Sequence, residues 1–266
     1  MHDKITSLTN SKIKEIVKLR ESAQRKKEQT IVIEGYREID RAIDAEINFK
    51  EFYVCRYLVK SLAQKETLKK ITALNKPIYE TTSEVYEKIS YGDRHDGLLA
   101  LAQPKYCSFF DLPKKQDLFL LIIEQVEKPG NLGAILRTCD GVGVDGVIVC
   151  DIKTDLYNPN VIRSSLGTVF TTKTIVSSVQ PTLDFLKSKA MKIIASSPDA
   201  DLIYTQADFK GPVALIVGSE QEGLTRFVLS KANVKVKIPM RGSADSLNVS
   251  TSTAILLYEA LRQRSS

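Results

Sequence analysis

The chain has 266 residues, 43% hydrophobic and 26% charged, with 38 basic against 32 acidic residues for a formal net charge of +6. These proportions describe a globular chain able to bury one large core or two smaller ones, and the modest positive charge permits an anionic partner without requiring one. Two histidines and four scattered cysteines (Cys55, Cys107, Cys139 and Cys150) form no metal-ligand pattern. No apolar run reaches bilayer length and Met1-His2-Asp3-Lys4 opens no secretory signal, so the cytoplasm is the expected compartment, with no membrane and no metal.

Residues 1–105 read as a small α/β unit. Ile13, Ile16, Val17 and Leu19 fit one face of a short helix, followed by the basic stretch Arg25-Lys26-Lys27. Thr30 to Glu34 is strand-like and Gly35 turns the chain into a helix over Tyr36 to Ala45. Phe49 to Val54 alternates as a strand. A further helical stretch, the short strand Pro77 to Glu80 and the apolar strand Gly97 to Ala102 complete the unit. Residues 106–117 read as a linker rich in breakers and charge. His95, in Tyr91 to Asp96, reads as a loop residue and its neighbour Arg94 as a possible contact for an anionic partner.

Residues 118–266 are more apolar. Phe119 to Ile123, Gly146 to Cys150, Thr171 to Val176, Lys192 to Ala195 and Val213 to Val217 are strand candidates, with helical stretches such as Leu132 to Val142 and Leu183 to Lys189 between them. Short apolar strands joined by crossover helices predict a mostly parallel sheet, with binding loops beyond the C-terminal ends of its strands. Gly141-Val142-Gly143-Val144-Asp145-Gly146 matches G-x-G-x-x-G literally, but a helix precedes it and a strand follows. That order suits a helix C-cap and tight turn, and excludes a nicotinamide-dinucleotide fingerprint.

Three segments carry candidate chemistry. In Glu124 to Thr138, Asn131 stands where a helix starts and Arg137 lies six residues on, with no acid at i−4 or i+4. Asn131 suits an N-cap; Arg137 reads as a surface residue or as a bidentate phosphate ligand. In Ile216 to Leu224 a buried strand runs into Gly218, which would let a ligand approach the backbone, then into Glu220 and Glu222 framed by Gly223. Glu222 suits either a ligand contact or the cap of the next helix. In Val236 to Ser250, extended backbone at Ile238 and Met240 leaves amides and carbonyls for a nucleobase, and Ser246, Asn248 and Ser250 cluster at a helix entry, where capping is their plain role.

In this order and spacing the three segments resemble the motifs of the SpoU (TrmH-like) RNA ribose methyltransferases of the SPOUT superfamily, over roughly residues 118–264. Arg25-Lys26-Lys27 followed by Ile33-Glu34-Gly35 is similar to a substrate-binding domain related to ribosomal protein L30. The resemblance implies an α/β fold whose mostly parallel sheet ends in a C-terminal trefoil knot, a homodimer, and S-adenosyl-L-methionine as cofactor. It carries Gly218, Ile238, Met240 and Leu247 over as cofactor contacts, and Asn131, Arg137, Glu222, Ser246 and Asn248 as the polar catalytic set. Gln221 and Thr251-Ser252-Thr253-Ala254 depart from the family pattern.

The implied reaction moves a methyl group to a ribose 2′-hydroxyl, with ribosomal RNA favoured over transfer RNA and a non-catalytic relative in ribosome assembly as the rival. A guanidinium stays protonated, so Arg137 is expected to orient a phosphate and acidify the hydroxyl, with Asn131, Ser246 and Asn248 orienting the ribose. Residues 1–27 hold eight Lys or Arg against three acids. Among them Arg20, Arg25, Lys26 and Lys27 are the expected RNA contacts.

Overall fold

A computed structural model describes residues 3–92, 96–219 and 221–265. In chain order the first part contains β1 (Asp3–Ile5), α1 (Ser11–Lys18), α2 (Ser22–Glu28), β2 (Ile31–Glu34), α3 (Tyr36–Asp44), β3 (Phe49–Val54), α4 (Leu62–Ala73), β4 (Ile78–Thr81), α5 (Ser83–Ile89) and β5 (Leu98–Ala102). Next come β6 (Phe119–Glu124), α6 (Pro129–Val142), β7 (Gly146–Cys150), α7 (Pro159–Ser164) and α8 (Thr168–Thr171). The remainder is β8 (Thr174–Ser177), α9 (Val179–Ser188), β9 (Lys192–Ser196), β10 (Leu202–Ile203), β11 (Val213–Val217), α10 (Arg226–Lys231), β12 (Val234–Lys237) and α11 (Val249–Arg264).

These elements form two compact units. The first runs to Lys105 and takes in Leu156–Thr171; the second comprises Tyr106–Asp155 and the chain from Thr172 onward. Thus α7 and α8 pack with the first unit, against β2 and α3, although residues 118–266 read in sequence as one stretch. Gly167 shows why the fit is close. A Cβ there would sit 2.8 Å from the Glu38 backbone.

In the first unit a mixed sheet runs β1-β4-β3-β5-β2, with β5 antiparallel to both β2 and β3. The helix face expected from Ile13, Ile16 and Leu19 is buried against Tyr53, Val85, Tyr86 and Ile89. Gly35 adopts φ +103°, a conformation that strains any side chain, and the turn it makes starts α3.

In the second unit the sheet runs β10-β12-β9-β11-β6-β7-β8 and every pairing is parallel. β6, β7 and β11 are buried along their whole length, as continuous apolar runs predict. Leu120, Ile122, Ile148 and Ile216 face a layer that includes Leu183 and Leu186 of α9. The alternate positions Leu121, Ile123, Val147, Val149 and Leu215 are equally inaccessible, so both faces are covered. Each such fully buried Leu, Ile or Val contributes about 2 kcal/mol.

The stretch read as a linker is partly built in. Cys107 bridges Ile175, Phe109 stacks on Phe185 at 4.6 Å, and Leu112 is buried. The Gly141–Gly146 turn has the order the sequence indicated. Gly143 caps α6 at φ +74°, its amide bonding Cys139 O at 2.9 Å, and β7 follows. Among the described residues no helix is long and apolar enough to cross a membrane, and no cluster of His, Cys, Asp or Glu is placed to hold a metal.

Candidate functional site

Three strands of the second unit, β9, β11 and β12, deliver their C-terminal ends to one cavity of about 300 Å³. That is the size of a small-molecule site, at the position where parallel sheets place them. Gly218 follows β11, Ile238 and Met240 follow β12, and Ser246 and Leu247 precede α11; all five line it, with Glu222. Ser196, Ser197, Pro198 and Asp199 complete the wall from the end of β9. Sequence reading passed over that segment, although the strand-end rule that located the others applies equally to it.

The loop after β11 is shaped by its own backbone. Ser219 and Gly223 exchange two hydrogen bonds, at 3.1 and 3.2 Å, and the Glu222 amide donates to Ser219 Oγ at 3.2 Å. A Cβ on Gly218 would lie 2.1 Å from the Gly223 carbonyl carbon. The chain's own return therefore demands glycine here, and Gly218 lines the cavity as well. Glu222 is exposed and does not cap the following helix. Thr225 caps α10, its Oγ1 accepting from the Val228 amide at 3.3 Å. Thr225 is in turn held by Glu124 at the end of β6, a buried carboxylate that accepts from the Thr225 amide at 2.9 Å and from its hydroxyl at 2.8 Å. Sequence reading assigned Glu124 no role; a carboxylate ending an all-apolar strand was the available signal.

Asn131 is not the N-cap of α6. Pro129 opens the helix, as its fixed φ suits, so Asn131 stands within the first turn. Its Oδ1 accepts from Asn248 Nδ2 at 3.2 Å, a contact spanning 117 positions. Asn248 also caps α11, its Oδ1 accepting from the Ser250 amide at 2.9 Å and hydroxyl at 2.6 Å. The structural and functional readings of this residue thus coexist. One face of its amide caps; the other reaches α6, against which α11 packs. Arg137 lies on α6 with its side chain exposed, and no hydrogen bond or ion pair engages it among the described residues.

The cavity fits a cationic cofactor. Asp199, Glu222 and Asp245 line it, with no Lys or Arg among the described lining residues, while Ile238, Met240 and Leu247 offer apolar surface for a flat ring. Gln221 and Ser252, two positions that depart from the motif pattern, also line it.

The basic N-terminal stretch divides. Arg25 is buried at 3% exposure and donates to Leu19 O and Arg20 O, both at 2.7 Å. Its guanidinium closes the α1–α2 corner and cannot meet a phosphate, which corrects the expectation for this residue. Arg20 is exposed but donates to Lys88 O and Ser90 O at 2.9 and 2.7 Å, tying α1 to the end of α5. Lys26 and Lys27 point to solvent. Arg94, His95 and Glu220 lie outside the described residues.

A family model described as the SpoU rRNA methylase family matches residues 118–258. The chain belongs to that family. A second model, the MRM3-like substrate binding domain, matches residues 10–100. Similar curated proteins include the 23S rRNA (guanosine-2′-O-)-methyltransferase RlmB of Shewanella oneidensis, 36% identical over 205 residues, which are 75% of this chain and 83% of the relative. The RlmB of Escherichia coli K12 is 33% identical over 218 residues, covering 79% and 90%. A crystal structure of an RNA 2′-O ribose methyltransferase superposes with a TM-score of 0.87 at 39% identity, covering 98% of each chain. An AdoMet-bound rRNA methyltransferase of Sinorhizobium meliloti does so at 0.87 and 26% identity, over 98% of this chain and 97% of that one. This SpoU-family chain is an S-adenosylmethionine-dependent RNA methyltransferase with an α/β catalytic unit on a parallel seven-stranded sheet, and the cavity at the ends of β9, β11 and β12 suits that cofactor.

Proposed function

We propose that this SpoU methyltransferase modifies a ribose 2′-hydroxyl of 23S ribosomal RNA. The observation that carries the reading is the Asn131–Asn248 hydrogen bond. It joins the helix bearing the exposed Arg137 to the segment whose Ser246 and Leu247 line the cavity. The RlmB relatives, whose names specify 23S rRNA and guanosine, support the choice of RNA.

S-adenosylmethionine, when bound, supplies a methyl group that is already strongly electrophilic, so the protein's work falls on the weak nucleophile. Gly218, Ile238, Met240 and Leu247 would hold the adenosine of the cofactor, Gly218 also keeping the loop beside it in shape. The Arg137 guanidinium grips a substrate phosphate through paired N–H donors and lowers the pKa of the neighbouring hydroxyl. Asn131, Ser246 and Asn248 orient the ribose, and Glu222 makes a polar contact at the cavity rim. Lys26 and Lys27 contribute phosphate contacts.

The same reading includes a homodimer, a trefoil knot and a cytoplasmic location. The path of the chain supports the knot, since β12 lies on the far side of β9 from β11 and α11 then returns to pack on α6.

The test is to map ribose methylation across total RNA from cells with and without the gene. Loss of one 23S position is the expected result; loss confined to transfer RNA would replace the substrate, and no loss at all would remove the activity. Arg137→Ala should abolish turnover while leaving cofactor affinity, measured by calorimetry, unchanged. Near-normal methylation by that variant would sink the role given to Arg137.

A further inference from the structure

Beyond β3 the first unit presents a surface that its folding does not explain. Cys55 leads into a tight 3-10 turn, Arg56–Leu58, in which Leu58 packs against the core while Tyr57 stands 74% exposed. The only ring partner of Tyr57 among the described residues is the Lys60 ammonium, 5.4 Å from its centroid. Leu62, in the first turn of α4, is 80% exposed.

The segment is nonetheless firmly built. The Cys55 amide donates to Gly97 O at 2.9 Å, and a Cβ on Gly97 would sit 2.9 Å from Leu58 Cβ. Ser61 and Gln64 form a reciprocal capping box, with Gln64 Oε1 also accepting from the Lys60 amide at 2.8 Å. An aromatic ring held out on so fixed a support loses little conformational freedom on binding. Its surroundings are cationic. Residues 56–76 contain six Lys or Arg and one acid, Glu66; Arg56 pairs with Glu80 and Lys70 with Asp40, which leaves Lys60, Lys65, Lys69 and Lys76 outside these pairs. Of these, Lys65 and Lys69 follow Leu62 at helical spacing on one face of α4, both exposed.

We propose that Tyr57 is a stacking platform for an unpaired RNA base, with Lys60 and the Lys65–Lys69 face of α4 engaging the flanking phosphates. Aromatic rings interleaved with basic side chains are how proteins hold single-stranded nucleotides, because every base has a π-face and every linkage a charge. The inference rests on the RNA-modifying reading of the molecule. It adds a contact at the turn after β3 to those of Lys26 and Lys27, in a unit whose Arg20 and Arg25 are spent on backbone carbonyls.

Binding by the full chain tests it, with labelled oligouridylate of about a dozen nucleotides as probe and an abasic ribose-phosphate oligomer of equal length beside it. Tyr57→Ala should weaken oligouridylate binding roughly tenfold, with Tyr57→Phe close to wild type and neither change affecting the abasic oligomer. Lys60→Gln should weaken both probes and reduce the slope of affinity against salt by about one ion. Equal affinity of Tyr57→Ala and wild type for oligouridylate overturns the proposal and leaves the patch to a protein partner. So does a loss of the same size on the abasic oligomer, or one that tracks a lowered melting temperature. Since the readout is binding, its failure is separable from that of the methyl-transfer reading, which RNA mapping tests.

Discussion

Arg25 shows how a residue type can be noticed correctly and explained wrongly, and Gly218 how a cavity-lining residue can also be fixed by its own backbone. Both stand out in the sequence, yet each serves the chain itself. Gly218→Ala forces a methyl into the Gly223 backbone at 2.1 Å, where no flexible side chain is available to yield. Overpacking of this kind costs about 1–3 kcal/mol, and the displaced loop lines the cofactor cavity. Calorimetry should therefore find S-adenosylmethionine affinity reduced at least tenfold. Arg25→Ala strands one buried and one partly buried carbonyl and should cost about 2 kcal/mol in denaturant unfolding, whereas Lys26→Ala and Lys27→Ala stay within about 0.5 kcal/mol. Of the four free cysteines, Cys55, Cys139 and Cys150 are buried and Cys107 is half-buried. Burial raises the Cys139 thiol strongly, and burial pushes Cys150 up to about 11 against the opposing hydrogen bond to Thr182. At pH 8 both are therefore protonated and shielded, and Cys55 is also buried. Alkylation of the folded protein should label Cys107 alone, with all four reacting in denaturant; rapid native labelling of Cys150 would contradict the packing of β7.

At the scale of elements, the catalytic unit depends on helix and strand ends. The N-terminus of α11 is capped by Asn248, whose amide also donates to Asn131. The two roles separate by substitution. Asn248→Asp keeps the acceptor that caps the helix and loses the donor to α6; it should melt within about 0.5 kcal/mol of wild type while turnover falls. Asn248→Ala loses both, costing about 1 kcal/mol in addition to the loss of turnover. Equal turnover in Asn248→Asp and wild type would reduce the residue to a cap. Glu124 has a comparable place, since its two bonds to Thr225 fix where the loop after β11 ends and α10 begins. The strands themselves were legible because burial on both faces leaves long apolar runs. β1 and β10, with three and two residues, are too short to impose any pattern, and pairing with β4 and β12 defines them.

At the scale of the molecule, two units are drawn from a chain that leaves the second and returns to the first. Leu156–Thr171 belongs with the first unit. Its Tyr157 ring stacks with Phe170, and Arg163 donates to Tyr91 O at 2.9 Å. A fragment ending at residue 105 lacks this segment and exposes the surfaces of β2 and α3 that it covers. Such a fragment should unfold at lower denaturant than the same unit in the whole chain, and adding residues 156–171 as a peptide should recover part of the loss. A fragment as stable as the intact unit would show that the segment is an accessory.

The sequence by itself determined the parallel sheet and the segments after β11 and β12 that line the cavity, because those depend on local periodicity, on glycine and proline geometry and on the spacing of polar residues. It also excluded a dinucleotide site at Gly141–Gly146, since the order of helix and strand is a local matter. Tertiary structure alone decided what each polar group faces. Asn131 lies 117 positions from the amide that bonds it, Glu124 lies 101 from Thr225, and Asp199 joins the cavity from a strand end the motifs do not include. The basic residues near the N-terminus carry the same lesson. Their number is written in the sequence, but whether a guanidinium meets a phosphate or a backbone carbonyl depends on which turn closes over it, and Arg25 is closed over.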